Sequence, residues 1–356
     1  MASLRVVAVT VTALILLVAS GAAGASTAGS PATSTAFAAV TNARAVDGRT
    51  GVTPINAAAR TATTWRGGAI TASSGEVVHV FVSDLLPLET PEKWAEFMVG
   101  LTHGPELALV TVRIASLAEV QELCGQRALG CYHRNEIVSL GEVVDGTSTP
   151  EEVLRHEYGH HVGFHRTNAP WRAVAWGPKN WASVAGVCSR VSRGEAFPGD
   201  AGRNYSQNPG EAWAEVYRLM DERKAGITTA RWDIIARSFF PNDAALAAAE
   251  RDVLTPWLAN TSVVHRRVFG TKAKRVWWIP VATPLDGGLT LSATRPRNGT
   301  QELALVATDR KRVLRRAQWI GRRVVGATST ICGRRSLFVR VTSQSRGTVT
   351  VTVSTP

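Results

Sequence analysis

His156, Glu157 and His160 stand in the order His-Glu-x-x-His. On a helix with 3.6 residues per turn, side chains four apart differ in direction by only about 40°. Two imidazoles at that spacing reach one metal ion from the same face. Glu157, next to the first histidine, falls on the flank of that ion, where it can take a proton from a metal-bound water. Zinc held this way lowers the pKa of its water to roughly 7, and the glutamate is suited to act as general base. The bare pattern also arises by chance on surface helices rich in His and Glu, so its surroundings decide its meaning.

Those surroundings favour a helix. Thr149 suits an N-cap, Pro150 the first helical position, and Glu151 and Glu152 the positive end of the helix dipole. Gly159 keeps the helix slim beside His160. A third ligand has two candidate sources. His165 comes one residue too early for the longer pattern His-Glu-x-x-His-x-x-Gly-x-x-His, whose last place is held by Arg166, and one residue turns a helical side chain by about 100°. No methionine turn follows, since Met220 sits in a helical pattern. The other source is NPGEAWAEVYRLM, where Asn208 caps, Pro209 opens a helix, and Glu211 and Glu215 share a face. Glu211 there is either a capping residue reaching back to Asn208 or the third ligand, with Glu215 orienting a ligand histidine through its other ring nitrogen. Two histidines, a carboxylate and an open position make a catalytic zinc site rather than a structural one.

With His156-Glu157-x-x-His160 and Glu211-Ala-Trp-Ala-Glu215 in place, the chain resembles a gluzincin, the zinc metallopeptidase clan that includes the thermolysin-like enzymes. The resemblance covers roughly residues 76–258. It implies an α+β, zincin-like catalytic domain, with a small mixed sheet followed by a helical lobe. It also implies His156, His160 and Glu211 as Zn2+ ligands, Glu157 as catalytic base and Glu215 in support. Such enzymes use a Tyr or His donor to stabilise the oxyanion. Tyr205 is the first candidate, with His165 and His161 behind it. The third-ligand helix lies farther along than in the compact arrangement, because an insertion rich in Trp, Gly and Pro (168–202) intervenes, so substrate preference does not carry over.

Around this core the chain divides into four parts. Residues 1–25 read as a secretory signal peptide, with Arg5, an apolar stretch from Val6 to Val18 and a small-residue cleavage site at Ala23-Gly24-Ala25. The alternative is a retained anchor. No later segment is apolar enough to cross a membrane, so the expectation is a secreted protein without a stable span. Residues 26–74, rich in Ala, Thr and Ser, read as a linker, wall spacer or propeptide. Residues 75–260 carry the zinc pattern. Strands are expected in GEVVHVFVSDL, ELALVTVRI and NEIVSL, with His79 as a strand residue. Helices are expected from Thr90 to about Thr102 and in SLAEVQEL, NWASVAGVCSRV, PGEAWAEVYRLMDERK, ARWDIIARSFF and NDAALAAAERDVLTPWL.

Residues 261–356 turn to short alternating runs, RVWWIPVA, GLTLSAT, ELALVAT, RRVVGAT, SLFVRVTS and GTVTVTVS, which read as an all-β sandwich. LDGGLTLSATRP and SLFVRVTSQSRGTVTVTVS resemble the bacterial pre-peptidase C-terminal domain. Four cysteines suit an oxidising compartment. Cys124 and Cys131 flank a short loop and form the expected local pair, leaving Cys188 to join Cys332. Four reduced thiols or a structural zinc site are the alternatives.

The net charge of +12 is uneven: from Thr261 onward 18 Lys and Arg stand against 3 Asp and Glu, and the rest of the chain is net negative. Lys311-Arg312, Arg315-Arg316 and Arg322-Arg323 suit a polyanion such as an anionic cell-wall polymer, or serve as a solubilising face. No nucleic-acid motif accompanies them. The expected function is a secreted zinc endopeptidase acting on protein or peptide substrates. The alternatives are a cell-wall or polyanion-binding protein whose zinc helix is structural or vestigial, and a zinc hydrolase acting on another bond.

Overall fold

Two helices far apart in the chain set the architecture, and local sequence accounts for both. In the computed structural model, which describes residues 55–144, 148–270, 275–294, 301–319, 325–344 and 346–356, the zinc-pattern helix runs from Pro150 to Phe164. The Thr149 side chain accepts from the Glu152 amide, and Glu152 reaches back to the Thr149 amide at 2.9 Å, so two orphan donors of the first turn are satisfied reciprocally. The second helix, Pro209–Lys224, is capped by Asn208, which accepts from Gly210 at 3.0 Å.

The elements in order are α1 (Ala57–Ala62), β1 (Trp65–Thr71), β2 (Val77–Ser83), α2 (Pro91–Val99), β3 (Thr111–Ala115), α3 (Leu117–Cys124), β4 (Gly130–His133), β5 (Glu136–Leu140) and α4 (Pro150–Phe164). There follow α5 (Ala173–Trp176), α6 (Lys179–Val184), α7 (Val187–Ser192), α8 (Pro209–Lys224) and α9 (Asp243–Leu254). The first five strands form one sheet in the order β1-β2-β3-β5-β4. Its three inner strands run parallel, and β1 and β4 are antiparallel edges. Val78, Val80 and Val82 alternate into a core shared with Trp94, Met98, Tyr158, Trp213 and Tyr217, so the sheet supports α4 from below and α8 packs on it from the side. His79 is exposed in its strand, as its place in the alternation requires.

Eight further strands build the C-terminal sandwich: β6 (Thr261–Phe269), β7 (Arg275–Ala282), β8 (Gly287–Thr294), β9 (Gln301–Val306), β10 (Val313–Trp319), β11 (Val325–Ile331), β12 (Ser336–Ser343) and β13 (Gly347–Thr355). They form two antiparallel sheets, β10-β9-β12-β7 and β11-β8-β13-β6. The core is purely apolar, with Ile279, Leu303, Leu305, Val339 and Val341 against Leu289, Leu291, Val349 and Val351. The molecule is thus α+β with a β-rich C-terminal part, and no helix among the described residues is long and apolar enough to cross a membrane.

Both expected disulfides are present, Cys124–Cys131 and Cys188–Cys332. The second links α7 to the sandwich. Beside it the fully buried Lys179 donates to the carbonyls of Ala169 (2.6 Å) and Asp286 (2.9 Å), with its ammonium 4.5 Å from the Trp257 ring. The Trp-rich insertion is therefore the platform on which the sandwich sits.

Several expectations need correction. Order begins before residue 75: α1 and β1 lie within the stretch expected to be linker, and β1 pairs with β2 from Trp65 to Thr71. The signal peptide and residues 26–54 lie outside the described residues, as do Arg322 and Arg323. In ELALVTVRI the first half is a 3-10 turn, Pro105–Leu109, because Glu106 is drawn inward to Arg166 at 2.8 Å; the strand starts at Thr111. NWASVAGVCSRV is two helices, divided at Gly186, whose φ of 66° breaks the run. ARWDIIARSFF is not a helix. Its backbone bonds go elsewhere, Ala236 donating to Ser206 at 2.8 Å and the Arg231 carbonyl accepting from Arg218, and only Arg237–Phe239 makes a 3-10 turn.

Candidate metal centre

The seam between α4 and α8 brings His156, His160 and Glu211 together. One donor atom from each lies within 4.8 Å of the others, and all three residues are buried. Glu211 Oε2 is 3.1 Å from His160 Nε2 and 3.4 Å from His156 Nε2. Such close approach needs a thin helix contact. A Cβ at Gly159 would fall 2.8 Å from the Cα of Ala214, so only glycine fits, and Trp213 Nε1 donates across the seam to the Gly159 carbonyl at 2.7 Å. Glu211 does not close a capping box with Asn208; its carboxylate turns to the histidines.

Behind the histidines lies a second layer. His156 Nδ1 meets Glu215 Oε2 at 3.0 Å, which fixes the ring and leaves Nε2 facing Glu211. Arg218 then grips Glu215 with Nε at 3.0 Å and a terminal nitrogen at 2.6 Å, and its other terminal nitrogen lies 2.8 Å from both Glu222 oxygens. A buried charge is costly unless paired and hydrogen-bonded. Here every charge has an opposite partner.

The protonation pattern follows. Burial, the largest single influence, favours neutral forms throughout. For Glu211 it is outweighed by the charge of His160 and the hydrogen bonds from His156 and His160, which hold its carboxyl well below the usual range. Glu215, also opposed by burial, is pulled down to about 2 by His156 and Arg218. His156 loses affinity for a proton by burial but regains more from Glu211, Glu215 and Glu157, and is pushed up to about 10 in the metal-free chain. The carboxylates that hold that proton are equally disposed to hold a metal cation in its place. Glu157 behaves differently: burial raises its carboxyl above the usual value despite the two histidines. A raised carboxyl is better able to accept a proton, which suits a general base.

His156, Glu157, His160, Tyr205, Glu211, Glu215 and Arg218 all line one cleft of about 680 Å³. Tyr205 sits in the 3-10 turn Tyr205–Gln207 ahead of α8, and burial followed by the nearby Glu211 charge raises its hydroxyl far above the usual value, keeping it a neutral donor. Edge strand β4 contributes Gly130 and Cys131 to the wall, with Gly130 directly against Glu157. The other two histidines go elsewhere. His161 is fully buried between Tyr132 (3.3 Å) and the Glu106 carbonyl (2.8 Å), and His165 ends α4 and meets Asn135 Oδ1 at 2.6 Å. Neither joins the group that could hold a metal ion or lines the cleft.

No family model matches this chain, and no curated protein matches it. Among solved structures it is similar to the pre-peptidase C-terminal domain of a collagenase from Bacillus anthracis, solved at 1.0 Å, with 16% identity over 27% of this chain and 88% of that chain. The TM-score is 0.21, too low to carry fold or function across.

Sequence reasoning missed two contributors. Arg218 was legible in principle, since it falls three residues after Glu215 and seven after Glu211 on the same helix face. Strand β4 was not. It is four residues long, and its place at the sheet edge comes from the tight turn at Arg134 and Asn135, whose φ values are 45° and 74°.

Proposed function

We propose that this chain is a secreted zinc-dependent endopeptidase of the gluzincin type, with a zincin-like domain that takes in α1 and β1 and runs to about residue 260. The observation that carries the reading is the convergence of His156, His160 and Glu211 on one point, with Glu157 beside them in an open cleft. Two imidazoles and a carboxylate are the donor set of catalytic zinc, which takes three protein ligands and leaves a fourth position open. When bound, zinc supplies a water acidified to roughly pKa 7 and polarises the scissile carbonyl.

The chain's own residues do the rest. Glu157, with its raised carboxyl, takes the proton from the attacking water and delivers it to the leaving amine. Tyr205 donates its hydroxyl to the carbonyl oxygen as that oxygen gains charge. Glu215, clamped by Arg218, keeps His156 in the tautomer that presents Nε2. A peptide rather than another substrate is favoured by β4. Among the described residues it pairs on one side only, with β5, so its free edge can align an extended chain by main-chain hydrogen bonds. Secretion accords with the two disulfides and the leader-like start of the sequence.

The test is Glu157→Ala assayed on casein beside the unchanged protein and a chelator-treated control. Hydrolysis is expected to fall by about 10²–10⁴-fold while one zinc per chain is retained. Full activity in the variant would defeat the assignment of Glu157.

A further inference from the structure

Every fourth residue after Glu157 is a histidine, first His161 and then His165, which ends α4. The proposed base and the two histidines outside the metal group therefore share one stripe of the helix. Strand β4 runs along that stripe. Gly130 lies against Glu157, where an added Cβ would come 2.9 Å from Oε1. The Tyr132 hydroxyl meets His161 Nδ1 at 3.3 Å. Asn135, in the turn that follows β4, meets His165 Nε2 through Oδ1 at 2.6 Å. The spacings agree, since four helical residues advance about 6 Å and two strand residues about 6.8 Å. The strand keeps pace with the helix from the first contact to the second, and the turn makes the third.

His161 is fully buried, with Nε2 2.8 Å from the Glu106 carbonyl. A carbonyl only accepts, so Nε2 carries the hydrogen. In the uncharged ring that burial favours, Nδ1 is left to accept the Tyr132 hydroxyl. The Tyr132 oxygen in turn accepts from the Asn135 amide at 3.0 Å, closing the turn in which Arg134 and Asn135 take φ values of 45° and 74°. One hydroxyl thus joins helix, strand and turn. The Cys124–Cys131 disulfide ties the same strand to α3, so loss of that hydroxyl would shift β4 without freeing it.

We infer, on the hydrolase reading, that His161 and His165 are positioning residues which, through Tyr132 and Asn135, hold the β4 edge in register with Glu157 and so fit the site to extended peptides. The register decides where a chain laid along that edge presents its scissile bond. A misplacement of about 1 Å between substrate and a catalytic group can cost about 100-fold in rate. A blocked dipeptide spans too little of the strand to be aligned by it and gains nothing from the register.

The test uses the zinc-loaded full chain with an internally quenched octapeptide and a blocked dipeptide. His161→Ala would hollow the core, so the hydroxyl is removed instead. Tyr132→Phe should lower kcat on the octapeptide about tenfold, the scale of one well-placed hydrogen bond, and change the dipeptide by less than about twofold, with zinc content kept. His165→Ala should lower kcat on the octapeptide about threefold, and His165→Gln, whose amide nitrogen stands in for Nε2, should restore it. Amide exchange across β4 should quicken in Tyr132→Phe while that of β3 is unchanged, with zinc or without. If the unchanged chain cleaves neither substrate, the hydrolase reading fails and this positioning role with it. If the unchanged chain is active and Tyr132→Phe loses equally on both substrates, or exchange in β4 stays as it was, the positioning role alone is overturned.

Discussion

The seam between α4 and α8 and the core of the C-terminal sandwich are both well buried, yet they are built from opposite materials. The seam buries His156, His160, Glu211, Glu215, Arg218 and Glu222 within a few ångströms of one another. The sandwich core holds Leu, Val, Ile, Ala and Phe and keeps its charges outside. An apolar core of that kind stabilises simply by removing area from water. A buried polar seam is costly, since desolvation must be offset by exact pairing, and apolar replacements are often as stable or more so. Stability therefore explains the sandwich core and does not explain the seam. Function does.

That contrast can be broken experimentally, beginning where the effect is largest. Glu211→Ala removes one of the three proposed ligands and should weaken zinc by more than about 100-fold, beyond the range for outer partners; competition with a chromogenic chelator reads this out. Glu215→Ala, one layer back, should cost about 10–100-fold in the same assay. Leu291→Ala sharpens the contrast from the other side. A buried leucine in the sandwich should cost about 2–5 kcal/mol of stability in denaturant unfolding, with zinc affinity unchanged. A fall in zinc affinity there would mean the two regions are not separable.

The smallest effect is in pH. In the metal-free chain the proton on His156 is held up to about pH 10, against an ordinary value of 6.5. A group with a raised native pKa contributes stability that is complete below 6.5 and is lost as the pH rises through 10. The Tm of chelator-treated protein should thus decline over that window more than that of His156→Ala. Parallel curves would remove His156 from the account of the seam.

How much of this could be read from the chain alone depended on whether the determinants were local. Thr149, Pro150 and Glu152 fix the start of α4 within four residues, and Asn208 and Pro209 do the same for α8, so both helices and the inward facing of Glu211 and Glu215 were legible. The Cys124–Cys131 disulfide followed from spacing, and Cys188–Cys332 from the two cysteines it left. Elements whose identity depends on distant partners were not. Strand β6 is exposed along nearly its whole length and owes its place to pairing with β13, so it shows no alternation. Strand β10 hides behind adjacent arginines and a bulge between Val313 and Arg315. Residues 230–240 bury Trp232, Ile235 and Phe239 at helix-like spacing, yet their backbone bonds to other segments instead.

The central claim is tested most directly by locating the metal. Crystals of zinc-loaded protein, with anomalous data collected on either side of the zinc edge, should show one ion about 2.0–2.2 Å from nitrogens of His156 and His160 and from an oxygen of Glu211. An ion bound through His165, or no ion at the α4–α8 seam, would contradict it.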